Sequence, residues 1–481
     1  MLNVRLAVAA LILTSATVAS ATPELRTVIQ PPQLAPNTVL SGETIYLNKC
    51  TSGCTVKPGS TDARTDTTSI ASMPASFTEY AWQPGEWAQV VQCVKEVYSP
   101  FAVNVTDVRP DTEYSEAIVA GRPQDIGLPT GVGGVGPGSP DCSPMTNQVA
   151  FAFAETAVND FAAEDNNNRV WGICWVISQE IAHAYGLPDH EISFTDGESA
   201  CSDPMTYLSN CGGQKFFRNR TANCGDFTSK PCTCASVVNS HLKLTSVFGP
   251  GMSLIPAPTI TLDSPATGAT VAKGFVTAPT AFSRRGVKHL DLYLNGHLWA
   301  TTPGVKFTGA GQLMSTYALL APANVPDGVI DVMVKAYDDL EIETDSSTAT
   351  VTKGAACASA ATCLTGQKCE AGKCFWDPPT GKLGDVCAYN EFCTTGICQD
   401  SDVGQYCSQA CVVGSTDGCP ASFDCIATSE TGGVCLPQST GGGGCCSVEH
   451  GASNAPWAPI GLGAVALGLV LRRRRGRTLA A

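Results

Sequence analysis

Short apolar segments of two periods alternate along the first half of the chain. Residues 44–48 (TIYLN) read as a strand, and residues 85–98 (GEWAQVVQCVKEVY) as a helix with Trp87, Val90, Val91, Val94 and Val97 on one side. Residues 101–108 alternate as a strand does, and further strands are expected at 115–120 and 148–154. The stretch 131–140, rich in Gly and Pro, reads as a loop between them. A helix over about 169–185 follows. Mixed strand and helix periods make residues 41–250 an α/β (α+β) domain. The Pro- and Thr-rich residues 22–40 read as a linker.

Beyond residue 257 the pattern changes. From 257 to 353 the chain consists of short β-branched segments separated by turn signals, with no cysteine and no long amphipathic helix, which predicts a small all-β sandwich. Residues 357–436 then hold twelve of the 24 cysteines. At that density disulfides replace a hydrophobic core as the source of order. The spacings C-x5-C-x5-C-x4-C and C-x5-C-x4-C lack the C-x2-C knuckle of zinc clusters. Two halves, beginning at Cys357 and Cys387, suggest a loose duplication.

The two ends carry targeting signals. Residues 1–21 combine Arg5, an apolar stretch over residues 6–13 and Ala19-Ser20-Ala21, the pattern of a secretory signal cleaved after Ala21. A short N-terminal membrane anchor is the alternative, but the apolar stretch is too short to span. At the other end come a Gly-rich linker with a cysteine pair (437–446), then a tail (447–481). The tail holds an apolar run over 455–471, about 25 Å long as a helix, and Arg472 to Arg475. Export to an oxidising compartment explains the cysteines. The formal charge of -14 disfavours a nucleic-acid partner, since phosphate binding needs a basic surface.

The candidate chemistry lies in residues 178–191, SQEIAHAYGLPDHE, followed by Asp203-Pro204-Met205-Thr206-Tyr207. This stretch resembles the zinc motif of the metzincin peptidases (snapalysin-like and matrixin-like). In those enzymes His, Glu and His stand at i, i+1 and i+4 of one helix, a Gly at i+7 and a third ligand at i+10. Residues four apart share a helix face, and the Gly lets the chain turn back. The resemblance implies metal ligands at Gln179, His183 and Asp189, with Gly186 at the turn, and Asp189 in place of His resembles snapalysin. Met205 would underlie the metal and Tyr207 would approach the transition-state oxyanion. Gln179 departs from the pattern, because a neutral amide oxygen is a poor zinc ligand. His190, one residue past the expected ligand, is an alternative donor by a small loop shift, and a solvated loop histidine is its plain reading.

What this resemblance implies is a zinc-dependent endopeptidase, with Glu180 as the base that takes a proton from zinc-bound water. Its partner would be a protein or peptide substrate. The alternative is a non-catalytic pseudopeptidase that binds peptides at the surface. Other resemblances complete the architecture. Residues 257–353 resemble bacterial immunoglobulin-like modules, and 357–436 resemble EGF-like cysteine-rich repeats. The end of the chain resembles the myxobacterial C-terminal sorting tail, which implies cutting and attachment at a cysteine; a single-pass anchor is the alternative. Either holds the chain at the envelope membrane, at the cell surface. Two lesser candidates remain: the oxygen-rich residues 160–168 (DFAAEDNNN), a calcium candidate that lacks EF-hand spacing and reads better as a solvated loop, and Cys50 and Cys54, read as disulfide-bonded within an even set of ten cysteines.

Overall fold

The computed structural model describes residues 24–157, 169–209, 211–305, 314–401, 404–413, 418–429 and 432–438. The expected signal sequence, the 160–168 loop, the Cys445–Cys446 pair and the C-terminal tail lie outside the described residues. Among those described, no helix is long and apolar enough to cross a membrane. The chain is β-rich and multidomain, with few helices, several small sheets and many disulfides.

The first domain is built on a six-stranded sheet. Its strands are β1 (Glu24–Ile29), β2 (Thr44–Asn48), β3 (Asn104–Thr106), β4 (Ser115–Val119), β5 (Val132–Gly138) and β6 (Val149–Ala152), in the order β1-β5-β6-β4-β2-β3. β3, β2, β4 and β6 are mutually parallel, β5 is antiparallel to β6, and β1 runs parallel to β5. The strand period sorts side chains onto two faces. Ile45, Leu47, Ala117, Val119, Ala150 and Ala152 join one core with α1 (Glu86–Tyr98) and α2 (Arg169–His183). Tyr46, Ile118, Val149 and Phe151 join a second core on the opposite face, with Val56, Phe77 and Tyr114. Burial of both faces explains why these strands are nearly continuous apolar runs.

Trp87, Val90, Val91, Val94 and Val97 are all buried, and each contributes roughly 1.5–3 kcal/mol by leaving water. The Cys93–Cys174 disulfide fastens α1 to α2, and the Tyr98 hydroxyl donates to the Ser178 carbonyl at 2.8 Å. Cys50 and Cys54 pair with each other. Further along come the strands β7 (Glu191–Phe194) and β8 (Ala222–Cys224), an antiparallel pair, and α3 (Ser240–Phe248).

Three expectations need correction. Residues 24–29, expected within a linker, form β1, because pairing with β5 rather than composition fixes their extended backbone. The 131–140 stretch holds β5 instead of a loop, and its glycines serve a close approach to α2 that composition cannot reveal. The strand expected over 101–108 shortens to Asn104–Thr106.

The second domain holds β9 (Thr259–Ser264), β10 (Val276–Phe282), β11 (His289–Leu294), β12 (His297–Pro303), β13 (Gly328–Tyr337), β14 (Glu343–Asp345) and β15 (Ala349–Lys353). Two sheets share one core: Phe275 and Ala281 at β10 meet Leu290, Leu292 and Leu294 of β11 and Ile330, Val332, Val334 and Ala336 of β13. Strict alternation of buried and half-buried residues along β13 is the signature of a strand with one face inward. A buried ion cluster ties this domain to the first. Arg285 grips Asp339 bidentately at 2.6 and 2.8 Å and donates to the Phe217 carbonyl, while Arg218 reaches the same carboxylate at 3.3 Å. Burial pushes the Asp339 carboxyl up, and the two guanidiniums overcome it and hold the group below the usual carboxylate range.

The cysteine-rich region contains three units instead of two. Cys357–Cys369 with Cys363–Cys374, Cys387–Cys398 with Cys393–Cys407, and Cys411–Cys425 with Cys419–Cys435 repeat one interleaved pairing, first to third and second to fourth. The interleaving brings three sulfurs of each unit close together, as in Cys357, Cys363 and Cys374, but every one of them is spent in a disulfide. Buried side chains in the middle unit are chiefly the half-cystines themselves. Reduction is therefore expected to expose residues 357–435 to limited proteolysis while 258–351, held by an apolar core, stays protected; equal protection with and without a thiol reductant would refute the contrast.

Glu116 of β4 sits fully buried between the two cores, one oxygen taking a bond from Asn48 Nδ2 at 2.7 Å and the other unpartnered. Desolvation raises its pKa from 4.5 to about 7. The folded chain thus binds this proton more tightly, and stability falls as pH rises from about 4.5 to 7 and stays reduced above. Glu116→Gln is expected to stabilise the chain at pH 8 by about 3 kcal/mol and to do almost nothing at pH 4, read by urea unfolding at the two pH values.

Candidate active site

The site forms where α2 ends. Val132–Gly138 crosses the helix at so short a distance that a Cβ on Gly136 would lie 2.1 Å from the Glu180 carbonyl oxygen, and one on Gly134 would lie 2.7 Å from Glu180 Cγ and Oε1. Only glycine permits this approach. The strand roofs Glu180 so closely that its carboxylate is 1 % exposed, and neither oxygen has a hydrogen-bond partner. Burial raises its pKa well above the ordinary value.

The helix stops at His183. Gly186 has a φ of 85°, a left-handed conformation, and a Cβ there would strike the Cys142 carbonyl and Lys243. This turn sends residues 187–190 back beneath the helix end and into β7. The His183 Nδ1 lies 2.6 Å from the Leu187 carbonyl, which can only accept, so Nδ1 carries the proton and Nε2 keeps its lone pair. Thr27 Oγ1 of β1 lies 3.1 Å from that Nε2, and the nearer Glu180 oxygen is 3.9 Å away. Burial first, then the neighbouring His190, lower the His183 pKa to about 3, so the ring is neutral.

His190 repeats the arrangement. Its Nδ1 is 2.7 Å from the Asp226 carboxylate, its ring centroid is 5.1 Å from that of His183, and its Nε2 is buried without a partner. Burial outweighs Asp226 and lowers its pKa, while the contact with His190 holds Asp226 down at about 2. The Tyr207 ring lies tilted against His190 with centroids 4.0 Å apart; burial and the nearby Glu180 raise its pKa, so it stays a phenol. Beneath them, Asp203 organises the turn by accepting from the Met205 and Arg218 amides and from Ser240 Oγ at 2.8, 2.7 and 2.6 Å. Met205 is fully buried in the same core as α2.

Two expected donors are otherwise engaged. The Gln179 carbonyl oxygen accepts from Trp175 Nε1 at 3.0 Å, and the atom left buried without a partner is its NH2, which has no lone pair to give. Asp189 turns to Thr233, accepting from its amide and its hydroxyl, both at 2.7 Å. Among the described residues no triple of His183, Asp189, His190 or Glu180 has all ligand atoms within 4.8 Å. Thr27, Asp226 and Thr233 were not among the expected site residues; no local motif marks them, since each reaches the site from a distant segment.

No family model matches the chain, and no curated protein matches it. Solved structures with similarity include the fibronectin(III)-like modules of Clostridium thermocellum CbhA, at 20% identity over 20% of this chain and 94% of that one, with a TM-score of 0.15. A lytic polysaccharide monooxygenase of Jonesia denitrificans matches at 8% identity over 20% of this chain and 77% of that one, with a TM-score of 0.15. OgpA of Akkermansia muciniphila matches at 9% identity over 68% of this chain and 94% of that one, with a TM-score of 0.19. A common fold does not follow from scores of this size.

Because Gly136 stands against helix backbone, which cannot swing aside as a flexible side chain can, Gly136→Ala is expected to cost about 3 kcal/mol or more. A Gly59→Ala control, whose added Cβ would meet only Thr67 Cβ at 3.8 Å, should cost less. Urea midpoints of the two variants measure the difference.

Proposed function

We propose that this chain is a metzincin-like zinc endopeptidase displayed at the cell envelope, acting on extended polypeptide. One observation carries the reading: two neutral imidazoles, His183 and His190, with ring centroids 5.1 Å apart, each spend Nδ1–H on an oxygen, which leaves Nε2 of His190 without a partner and Nε2 of His183 between the Thr27 hydroxyl and a buried Glu180 that has no hydrogen-bond partner. Such second partners fix the tautomer of metal-binding histidines. Glu180 and His190 Nε2 are desolvated polar atoms that a bound cation would satisfy, so the donor types fit zinc. His183 and His190 would hold it, joined by an oxygen of Asp189 once that carboxylate turns from Thr233 toward them.

Zinc in such a site supplies Lewis acidity and lowers the pKa of bound water toward about 7. The chain's own groups do the rest. Glu180 takes the proton of the attacking water and returns it to the leaving amine, the base strength of its carboxylate being raised by burial. Tyr207 donates its hydroxyl to the developing oxyanion. We read the module at 257–353 as immunoglobulin-like, and the three cystine units as a spacer between the site and the envelope. The Gln179 position favours a second reading, a pseudopeptidase that binds peptides without cutting them, since the imidazole expected there is replaced by an amide held to Trp175.

Residues 22–436, produced in an oxidising host, test both. His183→Ala and His190→Ala are each expected to weaken zinc binding by at least about tenfold. Glu180→Ala should keep zinc and lose about 10²–10⁴-fold in cleavage of unstructured protein. Gln179→His should tighten zinc by about tenfold, roughly 1.4 kcal/mol. Equal cleavage by the wild type and Glu180→Ala would end the enzyme reading.

A further inference from the structure

The floor of the candidate site has no regular structure of its own. Between Ser202 and Ala222 the described residues form no helix or strand, yet 203–207 and 211–218 are buried throughout. A buried segment without ladder bonds must find partners elsewhere, because each main-chain donor or acceptor left unpaired is costly. Some of these partners are local. The Cys201–Cys211 disulfide closes one loop, and Asp203 accepts from the Met205 and Arg218 amides. The Phe216 amide and Arg218 Nε both donate to the Ser202 carbonyl, at 3.0 and 3.3 Å. Residues 216–218 therefore carry the turn at 203–205.

Further partners of 216–218 come from the second domain. In the turn between β10 and β11, Arg285 Nη2 donates to the Phe217 carbonyl at 3.1 Å, and the guanidinium lies over the Phe216 ring, 4.8 Å from its centroid. Arg218 Nη1 answers by donating to the Arg285 carbonyl and, at 3.3 Å, to Asp339. One residue earlier, Arg284 grips Glu96 of α1 with bonds of 3.1 and 2.6 Å and reaches Gln214 Oε1 at 2.6 Å. Arg218, Arg285 and Asp339 are all buried, so the two cations are met by a carboxylate of the second domain in place of water. Charge-assisted bonds of this kind are stronger than neutral ones.

From the floor the bonds continue to the site. The Met205 carbonyl accepts from the amide of Glu191, the residue after His190, at 2.5 Å. The Pro204 carbonyl accepts from Trp175 of α2 at 2.9 Å, and Tyr207 lies against His190. We propose that Arg284, Arg285 and Asp339 are positioning residues for the His183–His190 site: the second domain fixes residues 216–218, and these hold the 203–207 segment on which His190 and Tyr207 rest. The sandwich is then a working part of the site and not an appended spacer. This rests on reading 203–207 as the floor of that site, and holds whether a bound peptide is cut or only held.

The mature chain, free of metal, is compared by hydrogen exchange as wild type, Arg285→Ala, Asp339→Asn and Val334→Ala, the last thinning the second domain's own core away from the junction. Amides of Glu191, Met205 and Arg218 are expected to exchange at least about tenfold faster in Arg285→Ala and Asp339→Asn, while those of 117–119 and 150–152 keep their rates. Val334→Ala should leave all of them within about threefold of wild type. Wild-type rates at Met205 and Arg218 in both junction variants overturn the proposal. So does equal acceleration over 117–119 and 150–152, which would make the junction a contribution to overall stability alone, and so does the same acceleration at the floor in Val334→Ala. Zinc titration gives a second measure: Arg285→Ala should weaken binding at least about fivefold and Val334→Ala should not, and an unchanged affinity in Arg285→Ala overturns the proposal. A wild type that takes up no zinc counts against the metal reading while the exchange comparison still decides this one, so the two failures are distinguishable.

Discussion

The structure around the candidate site depends on the contact between a side-chain-free strand and a helix. Val132–Gly138 lies almost directly on the backbone of α2 at Glu180, closer than any residue with a Cβ allows at Gly134 and Gly136. From that approach follow the burial of Glu180 and the position of the β5 edge beside His183. Desolvation of the carboxylate is a consequence of packing density, and burial is what raises its pKa.

The polar atoms gathered there are costly without partners. A buried, unpaired donor or acceptor forfeits about 1–3 kcal/mol, and an unpaired charge more. Glu180, His190 Nε2 and the Gln179 NH2 all stand in that condition within one turn of chain and helix. Two nearby carboxylates are satisfied, Asp203 accepting three bonds and Asp189 two, while Glu191 beside Asp203 is buried with neither oxygen bonded. The unbonded atoms of Glu180 and His190 are what direct attention to a ligand beside them. Thr27 supplies part of what is missing to His183, and nothing else on β1 does so.

The rest of the chain is organised by different forces. Arg285, Asp339 and Arg218 join the first two domains through a buried cluster in which the carboxylate is bidentately held, so the junction is more rigid than a flexible linker would make it. Beyond it, each cystine unit is ordered by two interleaved disulfides and a short hairpin, and the first also docks on the second domain, where Lys373 pairs with Asp331 and the Val329 amide donates to the Gly372 carbonyl. One end of the molecule is held by packing and the other by covalent bonds.

By itself the sequence determined the elements whose signal is local. The α1 stripe of Trp87, Val90, Val91, Val94 and Val97, the strands at 44–48 and 115–119, the β-rich second domain and the density of disulfides were all legible, because periodicity and composition act over a few residues. The turn at Gly186 was legible too, since its spacing from His183 is written in the chain. Tertiary structure alone decided the rest. Gly-rich residues 132–138 are a strand because a helix lies against them, and residues 24–29 are a strand because an edge was open. The partners that fix His190, Asp189 and His183 are Asp226, Thr233 and Thr27, and long-range folding brings each to a side chain whose chemistry the local sequence had already singled out. Residue type fixes which atoms can donate or accept; only the close packing of distant segments settles which of them are left without a partner.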